Sequence, residues 1–358
     1  MSQLFSSLQL RELKLKNRMI VSPMCQYSAV DGVPNQWHLV HLGSRAVGGA
    51  AVVICEATGV SAVGRISPGD TGIWNEKQIA AFSEITQFIK TQECIPGIQI
   101  AHAGRKASTR TPWDEKKSQL LPAEGGWTPI APSAIQFDEN SLIPQEMSEK
   151  DLSVVLEEFV QAAKNSLKAG FQIAEIHMAH GYLLNSFLSP LSNQRQDQFG
   201  GSIENRMRFP LQIATEIRKV WPVQWPVFVR ISATDWVEGG WMLEDSITFC
   251  KELKKIGIDL IDCSTGGNSS LAKIPVGPSY QVAFSEGVRK QANIATGAVG
   301  MITEAHQAEE ILLNGQADVI LMAREFLRDP YFSLHAAQVL KHEITWPKQY
   351  ARAKRSLK

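Results

Sequence analysis

Eight short apolar runs, each followed by a helical pattern, constrain this chain more than any other feature. The runs span 19–24, 51–55, 97–101, 173–178, 227–231, 260–263, 293–296 and 319–322. Most are continuous rather than alternating, as in strands buried on both faces of a parallel sheet. The clearest helix begins at Ser148. Ser148 and Asp151 form an S-x-x-D start signal, Leu152, Val155, Leu156, Phe159 and Ala163 follow at helical spacing, and Gly170 stops it. Thr303 to Gly315 reads the same way, with Thr303 as the cap. Eight strand–helix units in 358 residues predict an α/β fold, a closed (β/α)₈ TIM barrel over 1–358 as a single domain. A doubly wound sheet is the alternative, but no G-x-G-x-x-G accompanies it.

One segment breaks the alternation. Residues 103–147 carry Pro, Gly and Trp with no helical or strand period. Loops this long are usually functional or disordered. Following strand three, the segment is expected to cap the active face, with a mobile surface insertion as the alternative.

Composition narrows the function classes. The 36 basic and 36 acidic side chains cancel, so no net field favours nucleic acid or an anionic membrane. The five cysteines, Cys25, Cys55, Cys94, Cys250 and Cys263, are scattered and form no C-x-x-C, against a disulfide framework or a structural zinc site. Met1-Ser-Gln-Leu-Phe lacks the features of a signal peptide, and no run reaches membrane-spanning length. The expectation is a soluble, cytoplasmic protein.

In such barrels the chemistry sits at the C-terminal strand ends. Gly297, Ala298 and Gly300 after strand seven, with Ala323 and Arg324 after strand eight, suit a phosphate. Arg230 on strand five is a buried guanidinium that needs an anion, either a ligand or an internal partner such as Glu175 or Asp262. His177, His180 and Tyr182 after strand four can bind an oxyanion and deliver a proton. Metal ligation by the two histidines is the competing reading, although strands five to eight end in no further histidine.

These strand ends resemble the old yellow enzyme family, in particular its bacterial branch of NADPH dehydrogenases and xenobiotic reductases. The resemblance rests on Leu15-Lys-Asn-Arg18, Ser22-Pro-Met-Cys-Gln-Tyr27, Gln99-Ile-Ala-His-Ala-Gly-Arg-Lys106, Glu175-Ile-His-Met-Ala-His-Gly-Tyr-Leu183 and Phe187-Leu-Ser-Pro-Leu-Ser-Asn193. It continues through Phe199-Gly-Gly-Ser-Ile-Glu-Asn-Arg206, Ala295-Thr-Gly-Ala-Val-Gly300 and Arg324-Glu-Phe-Leu-Arg-Asp-Pro330. The H-x-x-H of strand four fits the bacterial branch, since the other main branch has H-x-x-N there. Two departures are Ala323, where Gly is common, and an insertion after Lys106 longer than in the shortest relatives.

The resemblance implies a tightly but non-covalently bound FMN, with NADPH or NADH as transient hydride donor. Ser22, Pro23, Met24, Cys25 and Ala57 would line the flavin, and Cys25 would tune it. Gln99 and Arg230 would meet its pyrimidine end, and Ala323 and Arg324 its phosphate. His177 and His180 would bind a carbonyl oxygen, Tyr182 would give the proton, and Tyr27 and Lys106 would contact substrate. The expected activity is ene-reduction of small α,β-unsaturated carbonyls or xenobiotics, nitro compounds among them. The alternatives are a metal-dependent barrel hydrolase and a non-catalytic flavin-binding scaffold.

The C-terminal arm, 342–358, carries Trp346-Pro-Lys-Gln-Tyr-Ala-Arg352 and the cations Lys354, Arg355 and Lys358. A similar Q-Y-x-R arm in the bacterial branch reaches a neighbouring subunit, so the resemblance implies a homodimer or homotetramer with Arg352 supplied in trans. A frayed basic tail is the alternative.

Overall fold

The computed structural model describes residues 2–116 and 118–355; Met1 and Lys358 lie outside them. Eight parallel strands close a barrel in chain order: β1 (Met19–Val21), β2 (Val52–Gly59), β3 (Ile95–Ala101), β4 (Ile173–Met178), β5 (Val227–Ser232), β6 (Leu260–Ser264), β7 (Ala295–Ala298) and β8 (Val319–Met322). β8 pairs with β1 to complete the ring. The predicted TIM barrel is therefore the fold.

Three predicted boundaries move, each for a local reason. β1 stops at Val21 instead of residue 24, because Pro23 has no N–H to continue the ladder. β2 runs on to Gly59 through a bulge between Cys55 and Ala57. β7 starts at Ala295 because Asn293 takes a left-handed conformation, φ 52°, at the end of the preceding helix. Helix Glu149–Lys168 begins as predicted: Asp151 N–H donates to Ser148 Oγ, and Ser148 N–H donates to Asp151 Oδ2. Helix Ala305–Leu313 is capped by Glu304 rather than Thr303, whose N–H donates to Gln307 Oε1.

Strand parity decides what enters the barrel. Ile20, Val52, Ile54, Ile173, Phe228, Leu260, Val319 and Leu321 pack in one interior cluster. Residues of the opposite parity on each strand, such as Ile98, Ile176, Val229, Ile261 and Ile320, belong to the cluster under the helices. An N-terminal hairpin, Leu8–Leu10 with Leu13–Leu15, adds Leu10 and Leu15 to the interior cluster. Burial of each such side chain contributes roughly 1.5–3 kcal/mol. One step further along the strands, the same parity turns polar: Gln99, Glu175, Arg230 and Asp262 lie two residues on from Gly97, Ile173, Phe228 and Leu260. The bulge in β2 preserves this order. It sets Ala57 opposite Gln99 and diverts the Glu56 carboxylate to His38 on helix Gln36–Val47.

The insertion 103–147 has little regular structure. It holds two short 3₁₀ turns, Gly104–Lys106 and Pro122–Glu124, and a two-residue parallel pair, Ile130–Ala131 with Gln145–Glu146. No helix among the described residues is long and apolar enough to cross a membrane.

Candidate active site

The end of β4 supplies the central cluster. The rings of His177 and His180 meet edge to face, 5.2 Å between centroids, and Tyr182 meets His177 likewise at 5.0 Å. The chain reaches this arrangement through a left-handed turn, with φ 61° at His180 and 73° at Gly181. A second glycine pair, Gly266-Gly267, packs against it. A Cβ on Gly267 would stand 2.7 Å from His180 Cα, so the close approach requires glycine there. Lys106 ties the two turns together: its Nζ donates to His180 O and Gly267 O, both at 2.9 Å. The same ammonium lies 4.4 Å from the centroid of Phe137 and 5.3 Å from that of Tyr182.

A backbone hydrogen bond fixes the tautomer of His177, and Ser264 positions the ring of His180. His177 Nδ1 accepts Ala179 N–H at 3.3 Å, which leaves Nε2 as the protonated nitrogen. His180 Nε2 lies 2.8 Å from Ser264 Oγ. Gln281 Oε1 already accepts Thr265 Oγ1–H at 2.6 Å and lies 3.4 Å from Ser264 Oγ. Ser264 Oγ thus bridges His180 Nε2 and Gln281 Oε1 and sets the orientation of the His180 ring. Burial, reinforced by Arg230, holds both histidines well below the usual imidazole range, so both are neutral donors. Burial, then the Cys25 thiol, pushes the Tyr182 phenol well above its ordinary value, so it keeps its proton.

The loop after β1 forms the next wall. Tyr27 is also left-handed, φ 50°, and its ring meets Trp113 of the insertion edge to face at 5.9 Å. Gln26 N–H donates to Glu56 Oε2 at 2.9 Å, and His38 Nε2 lies 3.1 Å from Glu56 Oε1. Burial, then Asp70 and Glu56, raises the Cys25 thiol, which is therefore neutral. A neutral thiol is a poor nucleophile.

Deeper in the barrel lie Gln99 and Arg230. Gln99 Nε2 donates to Glu175 Oε1 at 2.8 Å, and Arg230 Nε stands 3.1 Å from Asp262 Oδ2. Arg230 thus has an internal partner and also lines a cavity of about 190 Å³. Val299, Gly300, Met301, Ala323, Arg324 and Arg328 line the rest of that cavity beside Tyr280 and Gln281. Gly300 sits at φ 120°, and a Cβ there would come 2.7 Å from Gln281 Nε2. Gly297 instead packs in the barrel interior against Leu321, and the Ala298 side chain joins the helix-facing core. A second cavity, about 520 Å³, lies between Tyr182, Lys106 and the insertion residues Gln119, Phe137 and Asp138. Arg352 lies outside this cluster in the 3₁₀ segment Lys348–Ala353, exposed and without an ion-pair partner among the described residues.

Sequence reasoning missed Ser264 and Gln281, which orient His180 and line the cavity. Ser264 carries a signal in hindsight: it is two residues beyond Asp262, on the inward parity of β6. Gln281 has none, because a loop places it.

The chain matches the model of the NADH:flavin oxidoreductase / NADH oxidase family over residues 3–343. It belongs to that family. It is 46% identical over 355 residues to an NADPH dehydrogenase of Listeria monocytogenes serotype 4a (strain HCC23), covering 99% of each chain. It is 47% identical over 352 residues to an NADPH dehydrogenase of Bacillus subtilis (strain 168), covering 98% of each. Its fold superposes on morphinone reductase in complex with tetrahydroNAD with a TM-score of 0.79 at 25% identity, over 96% of this chain and 92% of the other. The resemblance to the old yellow enzymes thus holds along the whole barrel, and the protein is a flavin-dependent NAD(P)H oxidoreductase.

The site suits the family's FMN on its own chemistry. The Ser22 hydroxyl is buried without a partner among the described residues. The Gln99 amide group is pinned through its nitrogen and leaves its oxygen as an acceptor. Arg230 adjoins a cavity whose far wall carries Arg324 and Arg328, as a phosphate-bearing group needs.

Proposed function

We propose that this protein reduces the C=C bond of α,β-unsaturated carbonyl compounds. The observation that carries this reading is the pair of neutral imidazoles set edge to face beside a neutral phenol. His177 offers Nε2–H, and His180 beside it is the second neutral imidazole for the same carbonyl oxygen. Negative charge grows on that oxygen as the bond is reduced, so both hydrogen bonds strengthen toward the transition state. FMN, when bound and reduced by NAD(P)H, would supply the hydride for the β-carbon. Tyr182 gives its proton to the α-carbon; the phenol's raised pKa keeps that proton available. Ser22, Ala57, Gln99, Arg230 and Arg324 hold the cofactor in this reading. Cys25 tunes it as a neutral thiol, and Tyr27 and Lys106 border the substrate.

Tyr182→Phe tests the assignment by stopped-flow spectroscopy. Flavin reduction by NADPH should keep its rate while reoxidation by an enone slows. Reoxidation at the wild-type rate would remove Tyr182 as the proton donor. The same reading includes a homodimer or homotetramer, with Arg352 closing the partner's pocket. Tyr350, at the arm's centre, is 40% exposed and leans on Tyr331 at 5.8 Å. Truncation after His342 should weaken association in sedimentation and raise KM for enones; unchanged sedimentation would reduce the arm to a tail.

A further inference from the structure

The polar layer of the barrel interior contains two acids that the proposed reaction does not use. Strand register sets Gln99 opposite Glu175 and Arg230 opposite Asp262, so the four side chains form two adjacent cross-strand pairs, offset by two residues along the β4–β5 ladder. Glu175 and Asp262 are both fully buried, and the barrel's apolar cluster lies beneath them. Glu175 Oε2 and both carboxylate oxygens of Asp262 have no hydrogen-bond partner among the described residues, and Asp262 meets Arg230 Nε as a close ion pair. Other polar groups nearby add no second cation to the layer. His177, opposite Arg230 on β4, is neutral; Gln99 on β3 and the hydroxyls of Ser232 and Ser264 carry no charge. Lys106 donates to two backbone carbonyls, and Tyr280 and Arg324 line the cavity that Arg230 borders, while Arg230 is the cation that acts on both acids.

Charge counting then leaves one proton to place. Two carboxylates and a single guanidinium sit in an apolar enclosure, and an uncompensated buried anion there is costly. Asp262 has the direct ion pair with Arg230, so the proton belongs on Glu175. We propose that Asp262 and Glu175 are positioning residues for the redox poise of the flavin. Asp262 orients Arg230 and offsets its charge, while Glu175 carries the layer's one proton and fixes the amide of Gln99. Burial and the nearby Asp262 charge act in the same direction, raising the Glu175 carboxyl above the usual carboxylate range.

The consequence is directional. An unpaired Arg230 would favour the anionic reduced flavin strongly. Asp262 weakens that preference, and ionisation of Glu175 at alkaline pH weakens it further. This inference rests on the FMN site and not on which substrate is reduced.

The test is a spectroelectrochemical titration of the FMN-loaded protein from mildly acid to alkaline pH. Asp262→Asn should raise the midpoint potential. The wild type should show a bend at alkaline pH beyond the slope of flavin protonation. Glu175→Gln should match the wild type at acid pH and lose the bend. An unchanged or lowered potential in Asp262→Asn, or an intact bend in Glu175→Gln, would overturn the proposal. Should Asp262→Asn fail to retain FMN, infrared spectra of wild type and Glu175→Gln decide. A protonated carboxyl band present in the first and missing in the second supports the proposal, and its absence from both sinks it. A protein that shows these potentials but no enone reduction refutes the proposed substrate and leaves this inference standing.

Discussion

The polar ends of the barrel strands and the insertion 103–147 border different cavities and are built by different means. At the strand ends, backbone register positions the side chains: Gln99 meets Glu175 and Arg230 meets Asp262 because the strands pair there. In the insertion, side chains position the backbone. Gln119 alone donates to Arg105 O and Ala107 O and accepts from Leu142 N–H. Arg195, outside the insertion, donates to Pro132 O and Met147 O. Geometry set by ladders tolerates little motion, while a loop held by scattered side-chain bonds can open locally. The strand ends should therefore govern chemical rate, and the insertion access and affinity.

His177→Ala gives the largest effect this division allows. Loss of one oxyanion donor should slow flavin reoxidation by an enone by ~10²–10³, with FMN content and reduction by NADPH unchanged. Phenol binding, followed by flavin absorbance, should weaken in parallel. The division breaks if any single substitution in the insertion slows the chemical step as much.

Acid should act next most strongly, and on the barrel. His102, His177 and His180 are buried, and burial lowers all three pKa values, His102 to about 4. Unfolded histidine binds its proton near 6.5, so the unfolded state holds more protons below that pH. Stability from these groups is present above 6.5 and is lost as pH falls, at about 1 kcal/mol per histidine per pH unit. Glu175, Asp262 and Asp70 have the opposite sign. Burial raises all three, Asp70 to about 7, so each loses stability as pH rises through its folded value. The insertion contains no histidine. Between pH 6.5 and about 4 the two sets oppose one another; below about 4 the carboxyls are protonated in both states and the loss from His177 and His180 continues alone. Thermal melts below about pH 4 should therefore show the whole barrel destabilised; selective exposure of the insertion to protease, with the barrel's Tm held, would contradict this.

The contrast also explains what the sequence disclosed. Residue type at the strand ends made Arg230 and the His177–Tyr182 cluster readable, because a continuous apolar strand leaves a polar residue conspicuous, whereas Gln99 was legible only through the family resemblance. Strand lengths were less readable: Pro23 ends β1 early and the bulge at Glu56 prolongs β2, effects of single residues within apolar runs. The insertion offered no period. Gln119 and Phe137 could not be found because what places them is tertiary hydrogen bonding and a cation over a ring. Gln281 escaped for the same reason, and the Glu56–His38 pair joins elements that sequence spacing does not relate.

Gln119→Ala probes the insertion itself. It removes the donor to two carbonyls and the acceptor of one amide in a buried place, at about 1–3 kcal/mol of local stability. Hydrogen exchange should rise across 103–147 and KM for enones should increase while the single-turnover rate holds. Unchanged exchange there would mean that Gln119 is no anchor.

The smallest effect should come at the boundary between the two regions, where Ser148 caps the helix that follows the insertion. Ser148 Oγ accepts Asp151 N–H at 3.3 Å, a long bond, and Asp151 Oδ2 accepts Ser148 N–H at 2.8 Å. Ser148 is exposed and Asp151 half-buried, so water replaces much of what Ser148→Ala removes. The Asp151 carboxylate also stays near the helix N-terminus, where the helix dipole favours it. The cost should therefore fall in the lower half of the 0.5–2 kcal/mol usual for N-cap loss, about 1 kcal/mol or less. Arg195 holds Met147 O independently, one residue before the cap, so the end of the insertion should keep its place. Ser148→Ala should then lower Tm slightly and leave KM for enones unchanged. A raised KM would show that the cap, and not Arg195, sets where the insertion ends, and the boundary between ladder-built and loop-built structure would move onto the helix.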